Sequence, residues 1–141
     1  MAIVNHVGLC VTDLDRSRRF YVEVLGFEPV REVRVPDDFT SDLLRVERPV
    51  GLTASYLRRD GVVLELLHFD RPDNPPARDR PFPEPGLTHL SFTVDDLAAA
   101  RAVVVEHGGE VLGDTEVAGL AVMIRDPDGQ MLELLAPRAL G

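Results

Sequence analysis

Two stretches of this chain, GVVLELL at Gly61–Leu67 and GQMLELL at Gly129–Leu135, write nearly the same seven-residue pattern. Each follows a turn, Arg59-Asp60-Gly61 in one case and Asp126-Pro127-Asp128-Gly129 in the other. Each sets one carboxylate in an otherwise apolar run. Taking a carboxylate out of water costs several kcal/mol unless something pairs with it. A chain that does this twice in one frame is built from a repeated unit, and the repeat needs a partner for its acid.

The repeat reaches further. His6-Val7-Gly8-Leu9-Cys10-Val11-Thr12-Asp13-Leu14 matches His89-Leu90-Ser91-Phe92-Thr93-Val94-Asp95-Asp96-Leu97. Both stretches alternate, which predicts half-buried strands. Val7, Leu9 and Val11, like Leu90, Phe92 and Val94, form the face that packs a core. The histidines begin the other face, with Gly8, Cys10 and Thr12 or with Ser91 and Thr93, and that face suits the wall of a cavity. A helix follows each strand. Asp13 or Asp15 caps the first, which carries Phe20, Tyr21 and Leu25 and stops at Gly26. Asp95 or Asp96 caps the second, from Leu97 to His107, ended by Gly108-Gly109. About three strands then complete each half.

Between the halves lies RPDNPPARDRPFPEPG, whose six prolines exclude a continuous helix or a central strand. The expected organisation is therefore a first βαβββ module at 1–70, a linker at 71–86 and a second module at 87–141, together one compact α+β domain. Glu65 lies 59 positions after His6, whereas Glu133 lies only 44 after His89. The surplus falls around Val35 to Pro49, a surface excursion with a short helix or a cover for a ligand.

Composition narrows the class. The chain has 141 residues, 45% apolar and 28% charged, as in an ordinary globular protein. No apolar run approaches the roughly 20 residues of a membrane span, and no signal peptide is evident. The single cysteine, Cys10, excludes an internal disulfide framework. These features lead us to expect a cytoplasmic protein without a membrane partner. The net charge of −9, with its 15 basic residues all arginine and scattered, disfavours nucleic acid. It favours a neutral or cationic small-molecule ligand, or a metal cation.

One histidine near the start and one glutamate near the end of each module give His6, Glu65, His89 and Glu133. Two imidazoles and two carboxylates form a mixed N2O2 set for a divalent ion such as Zn, Ni, Co, Mn or Fe, with positions left for water or substrate. Alone, a strand histidine is most often a satisfied structural group, and a glutamate in such a run faces solvent at an edge. Four of them in equivalent frames point to a shared role. His68 falls on the strand face opposite Glu65, and His107 meets the C-terminal dipole of a helix. Phosphate loops, H-E-x-x-H, G-x-S-x-G and paired-cysteine motifs are absent.

The segments His6 to Phe27, Gly86 to Leu97 and Asp126 to Leu134 closely resemble the vicinal oxygen chelate superfamily, the glyoxalase, bleomycin-resistance and extradiol-dioxygenase group. The resemblance covers nearly the whole chain. It implies paired βαβββ modules, a curved mixed sheet around a cavity, a homodimer, and metal ligation at His6, Glu65, His89 and Glu133. It further implies a metal-dependent lyase or isomerase of glyoxalase or epimerase type, in which a carboxylate removes a proton next to a carbonyl held at the metal. Glu133 is the first choice for that base and Glu65 the alternative. Bacterial glyoxalase I often carries arginine where Cys10 stands, and the epimerases usually carry glutamine where Glu65 stands. Sequestration of an antibiotic or another small molecule, as in bleomycin resistance, is the alternative function. An extradiol dioxygenase stands behind both, because such enzymes use one carboxylate and are longer.

Overall fold

The computed structural model describes residues 1–140; the last residue of the second module, 141, lies outside them. Eleven strands and helices follow the expected order twice. The first series is β1 (Val7–Cys10), α1 (Leu14–Glu23), β2 (Glu28–Arg34), α2 (Asp37–Leu44), β3 (Leu52–Arg59) and β4 (Val62–Phe69). The second is β5 (Leu90–Thr93), α3 (Leu97–Glu106), β6 (Glu110–Val117), β7 (Ala121–Arg125) and β8 (Met131–Leu135), closed by a short 3-10 helix at Pro137–Leu140. The chain divides into two compact units, Met1–Val22 with Gly26–Pro76 and Glu23–Leu25 with Ala77–Gly141. The boundary between Pro76 and Ala77 falls inside the proline-rich seam.

Each unit holds one four-stranded mixed sheet. The orders are β1-β4-β3-β2 and β5-β8-β7-β6, one topology used twice. The first and last strands of each unit run parallel and the rest antiparallel. The LELL strands are thus central strands, and their alternation explains the run. Leu64 and Leu66, and likewise Leu132 and Leu134, are fully buried. Glu65 and Glu133 point to the opposite, half-open face of their sheets. Because the side-chain period is two, the same three residues place two leucines in the core and one acid outside it. Leu57 backs the first core, and Val122 and Ile124 the second.

Local chemistry sets the corners. Asp13, rather than Asp15, caps α1 by accepting the Arg16 N–H at 2.9 Å, and Asp96 caps α3 by accepting the Ala99 N–H at 2.9 Å. Asp60 and Gly61, with φ of 49° and 80°, form a two-residue turn between β3 and β4. Two positive φ values match the twist of a tight hairpin. The surplus of the first half is α2, tied at its base by the Asp37 carboxylate, which accepts the N–H groups of Val50 and Gly51 at 3.1 and 3.2 Å. No helix among the described residues is long and apolar enough to cross a membrane.

Leu66→Ala is expected to cost about 2–5 kcal/mol in a denaturant titration, as for other fully buried leucines. Leu67→Ala, one position on and only half-buried, should cost clearly less. Equal losses at the two positions would contradict the division of the strand into core and open faces.

Candidate metal centre

Each unit brings its histidine to its glutamate. His6 immediately precedes β1, and Gly8 in β1 lies beside Glu65 in β4. The parallel register carries the imidazole back along the sheet to that carboxylate, with Nε2 3.0 Å from Glu65 Oε2. His89 immediately precedes β5, where Ser91 lies beside Glu133 in β8, and its Nε2 is 3.8 Å from Glu133 Oε2. The two pairs occupy equivalent positions in the two units. Among the described residues no three His, Cys, Asp or Glu side chains gather as one group, so the structure assembles the expected four as two pairs.

The outer contacts orient both rings. His6 Nδ1 is 2.7 Å from Asn5 Oδ1. That oxygen only accepts, so Nδ1 carries a proton. Nε2 then faces a carboxylate oxygen, an arrangement that needs a proton or a cation between them. His89 Nδ1 is 2.9 Å from Thr88 Oγ1, and the Phe82 ring lies against the imidazole with 5.6 Å between centroids. A fixed Nδ1 contact is the usual second-layer arrangement of a metal-binding histidine. Two donors on one tetrahedral or octahedral ion, each about 2.1 Å away, lie about 3.0–3.4 Å apart. The His6–Glu65 separation of 3.0 Å falls at the short end of that interval, and the His89–Glu133 separation of 3.8 Å lies beyond it. In donor chemistry, one imidazole nitrogen and one carboxylate per unit, the residues present fit a divalent cation.

The two glutamates are held differently. Tyr56, facing Glu65 across the β3–β4 hairpin, donates its hydroxyl to Glu65 Oε1 at 2.5 Å. Its ring also meets His6 edge-on at 5.9 Å. Burial, reinforced by the hydrogen bond to Glu65 and its charge, pushes the Tyr56 phenol above its ordinary value, so the phenol stays protonated and donates. The Arg31 guanidinium sits 4.4 Å from the centre of the Tyr56 ring. In the second unit Ser91 Oγ donates to Glu133 Oε2 at 2.7 Å. Glu65 is the more enclosed of the two, at 13% side-chain exposure against 28% for Glu133.

Tyr56 is the site residue that the sequence reading missed. A signal for it existed: in a two-residue hairpin, residues equally far from the turn face each other, and Tyr56 and Glu65 each stand four positions from it. The remaining candidates take other roles. Phe20 and Tyr21 are buried core. His107 caps α3, its Nδ1–H donating to the Val103 carbonyl at 2.9 Å. His68 is half-buried in β4 opposite Thr53, and Cys10 is exposed on the Glu65 face.

Two units of one topology, each presenting one His–Glu pair on the open face of its sheet, place the chain in a class of α+β proteins built from a repeated βαβββ unit. The model of the Glyoxalase/Bleomycin resistance protein/Dioxygenase superfamily matches residues 3–134, and the chain belongs to that family. It is 34% identical over 139 residues to the uncharacterized protein YaeR of Escherichia coli, with 93% of each chain covered. It is 32% identical over 114 residues to the ethylmalonyl-CoA/methylmalonyl-CoA epimerase of Cereibacter sphaeroides, covering 80% of this chain and 76% of that one. The trypanothione-dependent glyoxalase I of Leishmania major superposes with a TM-score of 0.70 at 25% identity, covering 96% of this chain and 86% of that one.

Proposed function

We propose that this chain is a metal-dependent lyase or isomerase that moves a proton on a carbon next to a carbonyl of a small-molecule substrate. One observation carries the reading: at the same register in both units, a histidine Nε2 with its Nδ1 already engaged faces the carboxylate of its paired glutamate. His6, Glu65, His89 and Glu133 are the proposed ligand set. A divalent ion held there, within the chain or in a homodimer, supplies Lewis-acid stabilisation of the negative charge that develops on substrate oxygens.

Among the four, Glu133 is assigned the base. Its carboxylate takes the proton from the substrate carbon and returns it to a carbon, so no net charge or atom is lost. Glu65 suits a holding role, because one oxygen is engaged by Tyr56 and the other faces His6. The kinship with an epimerase and a glyoxalase I supports this chemistry and sets the first substrates to try: epimeric acyl thioesters and thiol adducts of 2-oxoaldehydes.

Elemental analysis of protein purified without added metal or chelator tests the reading. About one divalent ion per chain is expected, lost in His6→Ala and in His89→Ala. A metal-free wild type that also fails to bind on titration would sink the enzyme reading. Screening for sequestered drugs, as in the resistance branch of the family, would then replace it.

A further inference from the structure

The two units compare strand for strand, because each LELL glutamate has one partner on every other strand of its sheet. At Glu65 the row across the sheet reads Arg31, Tyr56, Glu65, Gly8. At Glu133 it reads Leu112, Met123, Glu133, Ser91. Two rows closer to the histidines the repeat is kept: Glu28 faces Arg58 in the first unit, and Glu110 faces Arg125 in the second. In the row of the acid the two units diverge in chemistry: a cation and a phenol stand against a leucine and a thioether.

Resting on the four-ligand reading above, we propose that Tyr56 is a positioning residue that makes Glu65 a standing ligand, a role with no counterpart on the strand facing Glu133. Tyr56 touches both members of its pair, the glutamate through a hydrogen bond and the histidine through its ring edge. With Oε1 taken by the phenol, only Oε2 is turned toward His6, so Glu65 offers one oxygen in one orientation. Arg31, with its guanidinium carbon 4.4 Å from the ring centre, packs over the Tyr56 ring. Gly8 stands beside Glu65 on β1, where an added Cβ would press on Leu67 Cδ1 at 3.1 Å and only touch the carboxylate, at 3.8 Å. Glu133 has a different surrounding. Its hydroxyl donor, Ser91, uses the same oxygen that faces His89, and Met123 offers no O–H or N–H across the hairpin.

The test is a competition titration of metal-free protein with Zn(II) and with Co(II) against a chromophoric chelator, together with the visible spectrum of the Co(II) form. The proteins are wild type, Tyr56→Phe, Glu65→Gln, the double variant and Met123→Leu. Phe keeps the ring and its packing and removes only the hydroxyl. Tyr56→Phe is expected to weaken binding about 10–100-fold, the usual cost of losing an outer-layer partner, and to shift the Co(II) bands. In the Glu65→Gln background the same change should have no further effect, and Met123→Leu should change neither affinity nor spectrum. Unaltered affinity in Tyr56→Phe, or an equal loss in the Glu65→Gln background, overturns this inference alone. A wild type that binds neither ion overturns the four-ligand reading and this inference with it.

Discussion

Glu133→Gln is expected to lower kcat about 10²–10⁴-fold, the contribution of a positioned general base. Glutamine keeps the shape and an oxygen that can still accept the Ser91 hydroxyl, so the melting temperature of the metal-free protein should hardly move. Glu65→Gln should behave differently. Its carboxylate is pinned from both sides, so its loss should fall on metal affinity more than on turnover of the metal-saturated enzyme. The informative measurement is therefore kcat at saturating metal beside a metal titration, for both variants. Turnover unchanged in Glu133→Gln removes that residue from the chemistry. A fall in kcat confined to Glu65→Gln exchanges the two roles.

Removing the ion should act on stability as strongly as Glu133 acts on rate. A ligand that binds only the folded state stabilises it by RT ln(1 + [L]/Kd), about 4 kcal/mol at a thousandfold excess over Kd. For a chain of this size that corresponds to a melting shift on the order of 10 °C. Wild type should lose this increment on dialysis against a chelator and recover it when metal is restored. His6→Ala and His89→Ala should melt alike with and without metal. A chelator-insensitive wild type would falsify the proposed ligand set directly, whatever the activity assays show.

Much of this was legible in the residues because the chain says most things twice. The stretches at His6 and His89 gave the first strand of each unit, whereas the LELL acids read as buried until the sheet set the leucines inward and the acids on the half-open face. A length difference between the halves located α2. The four candidate ligands followed from their matching frames, and the structure places each histidine against the glutamate of its own unit. What the sequence did not yield is mostly pairwise. Asp13 and Asp15 are equally good caps on paper, and only the direction of the first turn chooses Asp13. Tyr56 reads as one more strand aromatic until the hairpin register sets it opposite Glu65. Phe82, in the proline-rich seam, carries no periodic signal at all, yet its ring lies against His89. Contacts made by irregular backbone leave no spacing to read.

The central strands also limit how such a chain can change over generations. Leu64, Glu65 and Leu66 share one strand, so the core and the acid are indexed by the same pleat. A substitution at Glu65 can alter the site and spare the fold. A one-residue insertion or deletion ahead of it cannot be so selective, because it would turn the acid inward and both leucines outward in one step. Homologues of this chain should therefore vary in side-chain identity on the open face outside the site residues, and show gaps where the register has already ended, as at the five-residue connection from Asp126 to Gln130, the proline-rich seam and the α2 excursion.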